Sequence, residues 1–151
     1  MPDLFAHFSI GYLISRKNNL RQHTTFLVLG STLPDLLTRI PEIILDRFLG
    51  FTFSHFVIIF HTPLCLLLAC FVVSLMFELS TRVPAFLFLF LGSMLHVLLD
   101  LMQRQSGDGV YIPYFPFSFE AIQWSLYHFN SSIMIFPFLL VAVIVAWLLT
   151  R

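Results

Sequence analysis

The sequence predicts an all-α integral membrane protein, a bundle of four to five helices in a single domain of residues 1–151. Two observations lead to this prediction. Hydrophobic residues make up 58% of the chain, charged residues only 11%, and the mean hydropathy is +0.90. A soluble domain carries about 25% charged residues because its surface must face water. The apolar residues are also grouped in long runs, and a membrane-crossing helix needs about 20 apolar residues in succession.

The composition excludes several other classes of protein. Eight basic and eight acidic residues leave no net charge, so nucleic acid is not expected as a stable partner. The chain is too apolar for a disordered protein, and its two cysteines are too few for a disulfide-stapled scaffold. Membrane lipids are therefore the expected partners, while the sequence leaves the oligomeric state open.

Three apolar runs are long enough to predict membrane-crossing helices, namely residues 51–77, 83–102 and 132–149. The run at 22–38 is borderline, and the run at 4–15 is short for a full crossing. Residues 103–130 are predicted to be irregular. Within them, 111–119 is rich in proline and aromatic residues, which suits either a membrane boundary or a lip beside a site.

The basic residues predict an orientation in the membrane. If the helices from residue 22 onward each cross once, loop 16–21, turn 78–82 and the C-terminus share one side, which holds five of the eight basic residues. The positive-inside rule places that side in the cytoplasm. We therefore expect a protein of a prokaryotic cytoplasmic (inner) membrane.

Ionisable residues interrupt the apolar runs. Such residues are rare in membranes and usually functional, because each costs at least about 2.5 kcal/mol on insertion scales. In the predicted topology they fall toward the non-cytoplasmic face, and His7 joins them if the first helix is embedded with its N-terminus on that side. We expect the functional site at that face. These ionisable residues are His7, Asp35, His55, His61, His96 and Asp100.

The residue types and spacings favour a metal site. His96 and Asp100 are four residues apart, so both project from one helix face and could hold a single ion. Asp35 and His61 come from neighbouring helices, which is how metal sites in helix bundles are assembled. Imidazole nitrogen and carboxylate oxygen are zinc ligands, so the expected cofactor is a divalent metal, zinc or alternatively manganese. The predicted ligands are His7, Asp35, His55, His61, His96 and Asp100.

Several short motifs occur together in the order and spacing of a known family. They are Met1-Pro2-Asp3 with His7, Gly30-Ser31 leading to Pro34-Asp35, His61-Thr62, Gly92-x-x-x-His96-x-x-x-Asp100, and Gly109 followed by Tyr114-x-Pro116-Phe117-Ser118. In these motifs the chain resembles the membrane-bound metal-dependent hydrolases, the YdjM-like family, up to about residue 118. That family is similar to the zinc-dependent phospholipase C and P1 nuclease group, which are helical phosphodiesterases.

The resemblance implies a phospholipase C/P1 nuclease-like metal core whose principal ligands are Asp35, His61, His96 and Asp100. It further implies that Asp100 bridges to a second ion, with His7 as the added ligand. The chain departs from the family at His55, which stands six residues before His61 where the family has His-Arg five residues before it. The later zinc ligands of the soluble relatives have no match after residue 118, so a full multi-zinc cluster is not expected.

The leading hypothesis is a membrane-embedded metal-dependent hydrolase that acts on a phosphoester, either a phospholipid or a lipid-linked phosphate. Metal-activated water would attack the substrate, with Asp35, His61 and Asp100 as catalytic residues. Two alternatives stay open. The same residues could serve a non-catalytic metal- or proton-handling membrane protein, although the cytoplasmic halves of the helices are almost entirely apolar. They could also lock helix packing in a small membrane interaction protein.

Overall fold

A computed structural model describes residues 2–17, 19–49, 58–104 and 111–150 of the chain. The described residues are mostly helical and form five α-helices: α1 Pro2–Ser15, α2 Thr24–Leu49, α3 Pro63–Ser74, α4 Leu79–Met102 and α5 Phe129–Leu149. Short 3-10 turns lie at Arg21–His23 and Ile58–His61. Two short parallel strands, β1 Gln103–Arg104 and β2 Tyr127–His128, pair with each other. The predicted all-α class is confirmed, and the strand pair was not predicted.

Helices α2 and α4 meet at their backbones, and two glycines allow this approach. A Cβ atom on Gly30 would overlap the carbonyl oxygen of Leu89, and a Cβ atom on Gly92 would overlap that of Leu27. Each glycine therefore presents bare backbone to the facing helix. Small residues at such contacts are typical of helices that pack in membranes. The contact fixes how α2 and α4 are aligned along their lengths.

Helix α2 continues through Pro34 and extends to Leu49, beyond the apolar run at 22–38. Proline has no N–H to donate to the carbonyl four residues earlier, which here belongs to Gly30. The hydroxyl of Ser93 on α4 donates to that carbonyl instead, over 3.0 Å. A hydrogen bond from the neighbouring helix thus satisfies the group that the proline leaves unpaired. As a result Asp35 lies inside a helix and against α4.

The run predicted as one crossing helix over 51–77 is divided in its described part, so the prediction of a continuous helix is wrong. The 3-10 turn Ile58–His61 precedes α3, and Thr62 lies between them in an extended conformation. The Thr62 hydroxyl accepts a hydrogen bond from the backbone N–H of Cys65 at 3.4 Å. Pro63 follows at the first helical position, where no N–H is needed. A capped helix start therefore interrupts the apolar run.

Among the described residues, one helix is long and apolar enough to cross a membrane. It is α4, with 24 residues, and it contains the predicted run at 83–102. Shorter apolar helices cover Leu4–Ser15, Pro63–Ser74 and Met134–Leu149. Many large apolar side chains of α3, α4 and α5 are exposed, among them Val72, Leu87 and Phe138. Exposed apolar surface on this scale indicates contact with lipid or with another apolar partner.

Replacing Gly92 with valine is expected to destabilise the α2–α4 contact, because the added side chain meets backbone atoms of the facing helix. Overpacking of this kind costs about 1–3 kcal/mol, so the midpoint of thermal unfolding in detergent should fall. Leu91→Val is the matched control, since Leu91 is the neighbouring residue and is half-exposed. Equal shifts in the two variants would contradict the close helix contact.

Candidate metal centre

Five ionisable side chains from four elements meet near the C-terminal end of α4. Helix α1 supplies His7, α2 supplies Asp35, the turn before α3 supplies His61, and α4 supplies His96 and Asp100. The side chain of His96 is fully buried and that of His7 nearly so, while His61 and Asp100 keep 17% and 13% of their side chains exposed. The structure thus brings together five of the six predicted ligands. The sixth, His55, lies outside the described residues.

Asp100 is the carboxylate around which the three histidines gather. Its Oδ1 lies 3.2 Å from His7 Nε2, and its Oδ2 lies 3.1 Å from His96 Nε2 and 3.8 Å from His61 Nε2. The second carboxylate is more peripheral, with Asp35 Oδ1 at 3.9 Å from His61 Nε2. Asp100 therefore links the two ends of the cluster.

The imidazole of His96 is held in one orientation. Its Nδ1 lies 2.8 Å from the carbonyl oxygen of Ser31. A carbonyl only accepts, so Nδ1 carries the proton in this bond, and in the neutral ring Nε2 is left with a free lone pair. The ring also stacks on that of His7, with centroids 3.8 Å apart. Metal-binding histidines commonly donate their other nitrogen to a carbonyl in this way.

Three buried side-chain atoms of the cluster residues have no hydrogen-bond partner. They are His7 Nδ1, His96 Nε2 and Asp35 Oδ2. Leaving a buried polar atom unsatisfied costs about 1–3 kcal/mol, more for a charged group. In addition, the lone pair of His96 Nε2 faces an Asp100 oxygen at 3.1 Å, which is repulsive unless a cation or a proton lies between them. The residues present therefore fit a divalent cation.

The donor atoms form two overlapping groups, each lying within 4.8 Å: His7, His96 and Asp100 in one, and Asp35, His61 and His96 in the other. Both groups need His96. Because its Nδ1 is engaged by Ser31, only Nε2 remains, and one lone pair binds one ion. We therefore expect one ion at these groups.

Two contributions to the cluster were not predicted from the sequence. One is the carbonyl of Ser31, which no side-chain pattern reveals. The other is Tyr111, whose hydroxyl donates to the carbonyl of His61 over 2.8 Å. Burial raises the pKa of the Tyr111 phenol above its usual range, and the nearby Asp100 carboxylate raises it further. Tyr111 therefore stays protonated and keeps the turn that carries His61 in place.

A family model described as YdjM inner membrane protein matches residues 4–151. The chain belongs to the YdjM inner membrane protein family. The match covers all five clustered residues, and it confirms the family resemblance and the membrane localisation. No curated protein and no solved structure matches the chain. The relation to phospholipase C and P1 nuclease, and the side of the membrane on which the cluster lies, stay predictions.

This YdjM family protein, purified in detergent and incubated with zinc or manganese, is expected to retain one equivalent of metal after desalting. Asp100→Ala should retain almost none, because Asp100 approaches all three histidines. Elemental analysis by mass spectrometry measures both. Glu120→Ala is the control, since Glu120 is an exposed carboxylate and should leave the metal content unchanged. Metal content unaltered by Asp100→Ala would contradict the site, and two equivalents would contradict the single ion.

Proposed function

We propose that this protein is a membrane-embedded metal-dependent hydrolase whose substrate is a phosphoester. The observation that carries the proposal is the cluster of three histidines and two aspartates, in which the buried atoms His96 Nε2 and Asp35 Oδ2 have no hydrogen-bond partner. A divalent ion bound there would supply Lewis-acid activation of water and of the phosphoryl group. The choice of a phosphoester is supported by the resemblance to the zinc-dependent phospholipase C and P1 nuclease group.

Charge balance supports a divalent ion over other ways of stabilising the cluster. Two carboxylates, those of Asp35 and Asp100, lie in a largely buried place and together can carry two negative charges. A single divalent ion cancels both.

The residues of the cluster divide into holding and proton-handling roles. His96 and Asp100 hold the ion from α4, and His7 adds a ligand from α1. Asp35 is the general base in this proposal, because its Oδ2 has no partner and is free to accept a proton from water. His61 is the least buried histidine of the cluster, with 17% of its side chain exposed, and its Nε2 lies 3.9 Å from Asp35 Oδ1. In this proposal the proton that Asp35 takes from water passes to His61 and from there to the departing oxygen.

The location of the cluster favours a lipid phosphate as the substrate. Asp100 lies two residues before the end of α4, the helix that is long enough to cross a membrane. The end of such a helix lies near one membrane face, where phospholipid headgroups carry their phosphates. A phospholipid or a lipid-linked phosphate is therefore the proposed substrate.

The metal-loaded protein in mixed micelles is expected to release a phosphorylated or dephosphorylated headgroup from phospholipid. Asp35→Asn should lower kcat by about 10²–10⁴-fold, the usual contribution of a general base. Chelation should abolish turnover, and added zinc or manganese should restore it. Liquid chromatography with mass spectrometry of the lipid products measures all of these.

Glu120→Gln serves as the matched control, since it makes the same chemical change at an exposed carboxylate. Asp35→Asn should fold, because the substitution keeps the side-chain shape. Circular dichroism and the midpoint of thermal unfolding check this. Turnover that persists in folded Asp35→Asn, or that survives chelation, would overturn the proposal.

A further inference from the structure

The aromatic segment, residues 111–128, has a surface unlike that of a water-facing loop. Five large apolar side chains in it are more than half exposed: Tyr114 56%, Phe117 91%, Phe119 73%, Trp124 53% and Leu126 65%. From 111 to 127 the sequence contains one charged residue, Glu120. The segment has no helix and only the short strand β2 at its end.

The segment completes the C-terminal end of α4. A helix leaves its last four carbonyls without partners inside the helix. Three of these carbonyls accept from the aromatic segment: Leu99 from the Tyr127 hydroxyl at 3.1 Å, and Leu101 and Met102 from the N–H groups of Trp124 and Leu126 at 2.8 Å each. The fourth, that of Asp100, accepts from the N–H of Gln103. The end of α4 is therefore fully satisfied without water.

The segment is also joined to the other side of the cluster. The Tyr111 hydroxyl donates to the carbonyl of His61, and the Gln123 amide donates to the carbonyl of Gln103 at 2.9 Å. The aromatic segment thus contacts both the end of α4 and the turn that carries His61. Its position relative to the cluster is fixed by hydrogen bonds at both ends.

We infer that the aromatic segment is a ledge seated in one lipid leaflet, which holds the opening of the His–Asp cluster at the level of the phospholipid headgroups. Two constraints limit the depth of the ledge in the bilayer, one from the hydrocarbon side and one from the water side. Irregular backbone exposed to lipid is not tolerated in the hydrocarbon core, and side chains such as Phe117 are not stably exposed to water in this number. Aromatic residues favour the interface between these regions.

The length of α4 leads to the same depth. Its 24 residues extend over about 36 Å at 1.5 Å per residue. The hydrocarbon core is about 30 Å thick, so the last turn of α4 reaches the headgroup region. A headgroup phosphate as the ligand of the cluster rests on the proposed function, whereas the depth of the ledge does not.

The depth of Trp124 tests the inference directly. The chain has two tryptophans, so the Trp147→Phe variant leaves Trp124 as the sole reporter. The full chain is reconstituted in vesicles of phosphatidylcholine and phosphatidylglycerol that carry either a headgroup spin label or bromines at defined acyl positions. We expect the headgroup label and the bromines nearest the ester to quench Trp124 most, and aqueous iodide to quench it little.

Strong quenching by iodide without quenching by the lipid probes would overturn the inference, and so would strongest quenching by the deepest bromines. A second variant tests whether the exposed aromatics hold the ledge in place. Phe117→Ser should roughly halve the lipid quenching of Trp124, whereas Phe117→Leu should preserve it.

Met76→Ser is the matched control for Phe117→Ser, because Met76 is 84% exposed in the turn between α3 and α4, at the other end of α4. It should leave Trp124 unchanged, and an equal effect of the two serine variants would overturn the role of the aromatics. The measurement needs neither metal nor turnover. The depth of the aromatic segment and the hydrolase activity are therefore tested by separate experiments, and either proposal can fail without the other.

Discussion

The backbone contact between α2 and α4 is the constraint on which the His–Asp cluster depends. A Cβ atom on Gly92 would meet the backbone nitrogen of Ser31 at 2.7 Å, so the two helices touch where α2 begins to contribute to the cluster. His96 lies one turn further along α4 and there reaches the Ser31 carbonyl. Any larger residue at the glycine would separate the helices, and the hydrogen bond that orients His96 would be lost with the contact.

The same contact explains why a proline precedes the aspartate of α2. Pro34 leaves the Gly30 carbonyl free, and Ser93 of α4 takes it up. Ser93 also lies 3.4 Å from the thiol of Cys70 on α3, so these polar contacts join three helices. Hydrogen bonds between helices in membranes contribute modestly, about 0.6 kcal/mol on average. Here the bond matters more for the continuity of helix α2, since it lets the helix extend past Asp35 while that carboxylate stays against α4.

Local patterns predicted part of this arrangement and could not predict the rest. The spacing of His96 and Asp100 is enough to place them on one helix face, because helical periodicity depends on sequence distance alone. The interruption at Thr62 and Pro63 has a local signal, a capping residue followed by proline, which the length of the apolar run obscured. The continuation of α2 through Pro34 has no local signal, since it depends on the Ser93 hydroxyl, which is 63 residues from the Gly30 carbonyl in sequence. The role of the Ser31 carbonyl as the partner of His96 could not be predicted either, because every residue has a backbone carbonyl.

The cluster and the aromatic segment share one structural cause, the end of α4. Four carbonyls must be satisfied where α4 ends, and here Gln103 and residues 124–127 satisfy them. The segment that does so is therefore bound within one turn of Asp100. A helix of about 36 Å sets the depth at which it ends, and the cluster is carried on that end, so its depth follows from helix length. The aromatic side chains then only need to be compatible with the membrane depth that the end of α4 sets. A packing role for the histidines and aspartates would explain their burial, but it would leave His96 Nε2 and Asp35 Oδ2 without hydrogen-bond partners.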